Sequence, residues 1–312
     1  MPWKQGYTIS DEIGLKDADL HWPDGNRCCV LITVDLSVAT GPAGITEQDI
    51  ASPAATFARH DGLTQLLAVL RRHTLHATFA VPAAMAPVYG AHLRSLLEDG
   101  HEIAAEGLRH EDVSTLSRQE EQIRLQQTTQ ILTDIVGQQP AGWFSLPRQE
   151  DPFAGGTISP HTIDLLIEAG YAYFGNGLAD DIPHYWVSDF TTRRAMLTLP
   201  YYYHFDDQFF LLFPRKGTGL ENIDMLLRNW KGEFDAQYQR GRLFLMTLHP
   251  QGIGWCDRLQ GLDDFLGYLR NMPGLWNPTG VTCTSYWRET YPPETHLKLE
   301  PSIWQDCPGS LS

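Results

Sequence analysis

Four side chains in this sequence are of types that do chemistry together: Asp35, Glu106, His110 and His249. Each sits at, or just after, the end of a run that reads as a buried strand. Asp35 closes the run 29–35, Glu106 and His110 follow 103–105, and His249 follows 243–248. Asp35, Glu106 and His110 could supply a mixed carboxylate and imidazole site for a divalent metal ion with an open position. A water on such an ion is acidic enough to attack an acyl carbon. A histidine on the opposite side, His249, could then protonate a leaving nitrogen. Without a metal, Asp35 or Glu106 could act as general base, with backbone N–H groups and Arg109 or Arg148 holding the developing oxyanion. Each residue also has a plainer reading. Polar residues end strands as caps and turns, loop carboxylates are solvated, and histidines sit satisfied in partly buried places. What favours chemistry is that all four recur at one end of the same expected layer, where α/β barrels carry their active sites.

The elements that would position them alternate. The runs 29–35 (CVLITVD), 76–81 (HATFAV), 101–105 and 243–248 (LFLMTL) are apolar enough for strands buried on both faces of a parallel sheet. Shorter strands are expected at 142–145, 171–174 and 197–203. Asp61 is expected to N-cap a helix through Arg72. Ser117-Arg118-Gln119-Glu120 is a capping box that opens a helix to about Val136. Ser159-Pro160 has the pattern of another helix start, ending near Gly170. Further helices are expected near 88–98, 221–239 and 257–270. Strand and helix alternate without a linker, which predicts one α/β domain over residues 28–312, a closed or nearly closed barrel with a C-terminal extension. Residues 1–27 are polar and turn-rich and read as an extended arm.

Weaker signals surround the same mouth. Asp181 and Asp207, with His204, follow strand-like segments and are candidates to contact substrate, although turn carboxylates are an equally good account. Trp143, Phe144, Tyr185, Trp186, Tyr202 and Tyr203 could form an aromatic pocket wall, but such residues are more often core. No P-loop, no dinucleotide-binding glycine fingerprint and no Gly-x-Ser-x-Gly elbow is present.

Composition narrows the partners. The chain has 312 residues, 42% hydrophobic and 20% charged, with a formal net charge of −15, so a nucleic-acid backbone or an anionic membrane is disfavoured as partner. The 5 cysteines are odd in number, scattered, and lack CxxC spacing, which argues against both a disulfide framework and a zinc ribbon. The first residues lack the apolar run of a signal peptide, and no apolar stretch is long enough for a bilayer. The expected setting is cytoplasmic.

With these residues in place, the chain resembles the polysaccharide deacetylase (NodB-homology) family over roughly residues 28–290. Thr33-Val34-Asp35-Leu36-Ser37 is similar to the family's first motif, and Ala77–Pro82 to its second strand. Gly100–Gly107 through His110 is similar to the His-x-x-x-His motif, and Leu248-His249-Pro250 with Gly254 and Arg258 to the final histidine motif. Gly142-Trp143-Phe144 and Asp180-Asp181-Ile182-Pro183 point to the branch of cyclic imidases, allantoinases and related deacetylases of small substrates. The resemblance implies a distorted (β/α) barrel of about seven to eight parallel strands, hydrolysis of a non-peptide carbon–nitrogen bond, Asp35 as base and His249 as acid.

Two departures matter. The family's second aspartate, a metal ligand, is Ser37 here, and the first histidine of its pair is Glu106. A Glu-x-x-x-His pair still suits zinc or another divalent ion. The allantoinase branch, which also departs from the standard ligands, implies metal-independent chemistry, yet this chain keeps His110. Zinc-dependent and metal-independent activation of water are both open. The expected function is ring opening of a small cyclic amide, imide or ureide. The alternatives are de-N-acetylation of an amino sugar or small acetamide, and a non-catalytic relative that binds a ligand. The expected partners are a small-molecule substrate and, by the resemblance, further copies of the chain.

Overall fold

In the computed structural model, the described residues are 15–38, 41–145, 157–177, 180–189, 192–211 and 223–297. Nine strands form one sheet: β1 (Cys28–Asp35), β2 (Thr78–Val81), β3 (Glu102–Ala105), β4 (Gly142–Trp143), β5 (Tyr173–Gly177), β6 (His184–Asp189), β7 (Arg194–Pro200), β8 (Leu243–Leu248) and β9 (Leu275–Trp276). Their order is β6-β7-β5-β4-β3-β2-β1-β8, with β9 added beside β1. Every pairing is parallel except β6 with β7. The helices are α1 (Glu47–Ile50), α2 (Pro53–Phe57), α3 (Leu63–His73), α4 (Ala86–Glu98), α5 (Arg118–Val136), α6 (Thr162–Glu168), α7 (Asp207–Leu211), α8 (Ile223–Arg240), α9 (Pro250–Ile253), α10 (Cys256–Arg270), α11 (Gly280–Thr290) and α12 (Pro293–His296). Among the described residues the hydrogen-bonded sheet does not close. A parallel bridge, Asp206 to Thr247, attaches the segment after β7 to β8.

Side-chain parity along the strands sorts the interior into two cores. Val30, Ile32 and Val34 of β1, Phe79 and Val81 of β2, Ile103 and Ala105 of β3, and Phe244 and Met246 of β8 pack outward with the helices. Cys29 and Leu31, Ala80, Ala104, Leu197 and Leu199, and Leu243 and Leu245 pack inward. Successive strand side chains point to opposite faces, so Asp35, Glu106 and His249 continue the inward rows past Leu31, Ala104 and Leu245.

The inner core is closed at the strands' amino ends by the segment holding Leu20 and Trp22 and by α11. Leu20 and Trp22 are buried there, with Cys283 and Trp287 of α11. The Trp22 Nε1–H donates to the Gly241 carbonyl over 2.9 Å. The described part of the arm is therefore built into the barrel floor rather than extended away from it. Glu102, at the start of β3, is fully buried beside it. It accepts from the Tyr173 hydroxyl (2.8 Å), the Thr78 hydroxyl (3.0 Å) and the Val281 N–H (2.8 Å). Gly280 opens α11 because a Cβ there would collide with the Tyr173 hydroxyl that reaches Glu102.

Several local expectations change. Asp61 is not an N-cap. The chain is already helical from Pro53, capped by Ser52, whose hydroxyl accepts from the Ala55 N–H at 3.2 Å. Asp61 falls in a π-helical turn, Ala58–Gly62, where Gly62 lies against the Pro250 carbonyl at the start of α9. The helix begun at Ser159-Pro160 starts at Thr162. The antiparallel strand β6 and the floor helix α11 were not anticipated, because neither carries a long apolar run. Among the described residues no helix is long and apolar enough to cross a membrane.

Candidate active site

The loop after β3 turns back sharply. Gly107 and His110 both have positive φ, 69° and 56°. For histidine this left-handed conformation is uncommon and carries a small strain energy. Glu111 holds the loop: its Oε2 accepts the Arg109 N–H at 2.6 Å, and its Oε1 takes Arg124 at 2.9 Å. The turn brings His110 Nε2 to 3.6 Å from Glu106 Oε1, with both side chains buried.

Across the barrel, β1 and β8 run side by side in parallel register. Their carboxyl ends therefore deliver Asp35 and His249 together. His249 Nε2 is 3.0 Å from Asp35 Oδ2, and Nδ1 is 2.7 Å from Asp207 Oδ1. The His249 backbone N–H also donates to Asp207 Oδ2 at 2.9 Å. With a carboxylate at each ring nitrogen, both nitrogens donate, which is the protonated imidazolium. Burial alone would depress the pKa of His249, but the charges of Asp35, Asp206 and Asp207 raise it well above the usual histidine range. Burial likewise opposes ionisation of Asp35, yet His249, His110 and the Ser37 hydroxyl hold its carboxyl below the usual range, and the Ser37 N–H donates to Oδ1 at 2.6 Å. Burial, and then the neighbouring Asp35, push Glu106 well above the usual carboxylate range. Asp35 is thus the anion and Glu106 the neutral acid of the pair.

Asp206 supports this arrangement from behind. It accepts the Tyr201 hydroxyl (2.6 Å) and the Gln208 backbone N–H (3.0 Å) and side-chain amide (2.8 Å), and it lies 3.4 Å from His249 Nδ1. Asp206, Asp207 and His249 could geometrically hold a metal, but hydrogen bonds already occupy the carboxylate oxygens. The trio Asp35, Glu106 and His110 differs. Its ligand atoms lie within 4.8 Å of one another, all buried, and Glu106 Oε2 is met by no hydrogen-bond donor among the described residues. Two carboxylates and an imidazole suit zinc or a similar divalent ion, so these residues could hold one.

The other expected site residues separate. Asp207 does not face substrate; it is fully buried against His249. Phe144, on the inner face, and Trp143, on the outer, line a small cavity with Glu106, His110, Leu125 and Thr157. Trp186 points outward and packs edge-on against Phe174, 6.3 Å between ring centroids, so it is core and not pocket wall. Asp181 pairs with Arg242, just before β8, and accepts from Gln237 at 2.8 Å. It therefore belongs to the start of β8, whereas His249 follows its end. The Arg109 side chain is exposed. His204 is half-buried with its ring 4.0 Å from that of Phe205. Arg148 lies outside the described residues. Asp206, not singled out from the sequence, was visible only as half of an Asp-Asp pair.

Comparison with known proteins follows the same lines. Residues 45–174 match the family model "polysaccharide deacetylase". A peptidoglycan deacetylase of Helicobacter pylori is 22% identical over 220 residues, 62% of this chain and 72% of that protein. Among solved structures, a Mycobacterium smegmatis protein assigned to the polysaccharide deacetylases superimposes with a TM-score of 0.76 at 24% identity, covering 91% of this chain and 95% of the other. An allantoinase superimposes with a TM-score of 0.74 at 22% identity, covering 87% and 94%. At these identities the solved structures speak to the fold, a mostly parallel α/β sheet of the NodB type.

Proposed function

From the premise that the chain carries a polysaccharide deacetylase family domain, we propose that it hydrolyses a non-peptide carbon–nitrogen bond, by preference opening a small cyclic amide, imide or ureide. The observation that carries this is the buried row Asp35–His249–Asp207, with 3.0 Å and 2.7 Å contacts at the two ring nitrogens. Asp35, the ionised carboxylate, takes a proton from water as its oxygen bonds to the carbonyl carbon. His249 Nε2–H donates to the nitrogen as the carbon–nitrogen bond breaks. Asp207 fixes the ring and stabilises its charge, as the carboxylate does in a catalytic triad. The Asp35 proton returning to His249 restores the starting state. A divalent ion held by Asp35, Glu106 and His110 would polarise the carbonyl and acidify water.

A second reading, de-N-acetylation, draws on the relative named a peptidoglycan deacetylase. The test is hydrolysis of succinimide- and hydantoin-type rings, allantoin and N-acetylglucosamine oligomers by chelator-treated protein, with and without added Zn²⁺. Ring opening is the expected result. Acetate release alone replaces it with the second reading, and no turnover of any member counts against both.

A further inference from the structure

Buried polar atoms normally have partners, and two that lack one border the same small cavity beside the Glu106–His110 pair. The cavity is about 20 Å³, room for a single water molecule. Thr157, Glu106 and His110 line it, together with the apolar Leu125, Trp143 and Phe144. Thr157 is 4% exposed, and its hydroxyl has no hydrogen-bond partner among the described residues. Glu106 is 3% exposed, and no donor among the described residues reaches its Oε2. A wholly apolar cavity of this kind stays dry, whereas one that offers a water two or more polar partners holds it. A water supplies what each of these atoms lacks, because it donates and accepts at once.

We propose that this cavity is a built-in water site, and that Thr157 is a positioning residue acting on Glu106 through the water it holds. The water donates one hydrogen to Glu106 Oε2 and accepts the Thr157 hydroxyl hydrogen. The bridge holds the Glu106 carboxyl in one orientation, with Oε1 kept 3.6 Å from His110 Nε2. A functional side chain stays in its working geometry only when its outer hydrogen bonds fix its rotamer. The other glutamate on β3 shows the same device without the water, since the Thr78 hydroxyl donates directly to Glu102 at 3.0 Å. The water site stands apart from the hydrolase reading above; only its effect on turnover rests on that reading.

The experiment compares the wild-type chain with Thr157→Val, which keeps the shape and removes the hydroxyl, and with Thr157→Ser, which keeps the hydroxyl. Crystal structures that show ordered water should place one within hydrogen-bond distance of Thr157 Oγ1 and Glu106 Oε2 in the wild type, and none there in Thr157→Val. The melting temperature gives an independent sign. Removing a buried hydroxyl that bonds to nothing should raise it. Removing one that holds a bridging water should lower it, by about 2–5 °C, because Glu106 then loses its donor. Thr157→Val should also lower kcat by about 3- to 10-fold with KM nearly unchanged, and Thr157→Ser should recover most of that loss. An empty cavity in the wild type, or a Thr157→Val chain that melts higher, overturns the water site. A lost water with kcat unchanged overturns the positioning role. A wild-type chain that turns over no substrate overturns the hydrolase reading and with it the effect on turnover, while density and melting temperature still decide the water site.

Discussion

Glu102 and Glu106 are four residues apart on the same inward row of β3, separated by the small Ala104, and both are buried with raised pKa values. They differ in how they are satisfied. Glu102, at the floor, has both oxygens engaged by Tyr173, Thr78 and the Val281 N–H. Glu106, at the mouth, has one oxygen that no donor among the described residues reaches and two ionisable neighbours, His110 and Asp35. A buried carboxylate with all its acceptors filled ties elements together. One left open among charges is held ready for a ligand. Burial and a shifted pKa are common to both, so neither alone marks a functional site. In barrels the carboxyl ends of the strands carry chemistry and the amino ends carry stability.

Substitutions at the two ends should separate those roles. The largest effect belongs to the mouth. His249→Ala should reduce turnover by roughly a hundredfold or more. It should also lower the melting temperature, because the buried Asp35 and Asp207 carboxylates lose their partner. A near-normal rate in the folded variant would remove His249 from the mechanism. Glu102→Ala should spare kcat. It leaves three buried donors unpaired and should destabilise the fold by about 2–4 kcal/mol, read as a lower urea midpoint with kcat retained.

Asp207→Asn should lower kcat by about tenfold or more, because the amide can present N–H to the ring nitrogen and favour the wrong tautomer. Preserved kcat would show that the ring is oriented without that carboxylate.

A smaller effect comes from pH. Burial pushes Glu102 up to about 7 from its ordinary 4.5. The folded chain keeps this proton where the unfolded chain has lost it. Its contribution to stability is therefore full below about 4.5 and is lost as pH rises toward 7. Glu102→Gln should flatten the stability profile across that window, and an unchanged slope would mean that another group is responsible. Trp186→Phe should have the least effect, leaving KM unchanged, since the ring packs on Phe174 away from the mouth.

Much of the site was legible before the fold was known. Asp35, Glu106, His110 and His249 end or follow apolar runs, and parallel strands deliver their carboxyl ends to one face. Parity was harder to read. In a parallel sheet both faces are apolar, so nothing in the run 29–35 says which residues face inward. The same ambiguity put Trp186 in the pocket wall when it belongs to the outer core. Asp181 was misplaced for another reason: its partner Arg242 is 61 residues away, and sequence spacing cannot reveal a pairing at that distance.

The sequence by itself determined the alternation of strands and helices, the capping box at Ser117 that starts α5, and the identity of the groups at the strand ends. These are local properties, set by apolar periodicity and by side chains that bond within a few residues of themselves. Only the tertiary structure decided that Asp207 serves His249 rather than substrate, that Glu102 is filled while Glu106 is open, and that Thr157 and Glu106 border one cavity. Each of these depends on which hydrogen-bonding groups from distant segments arrive at the same buried point, and that is set by packing.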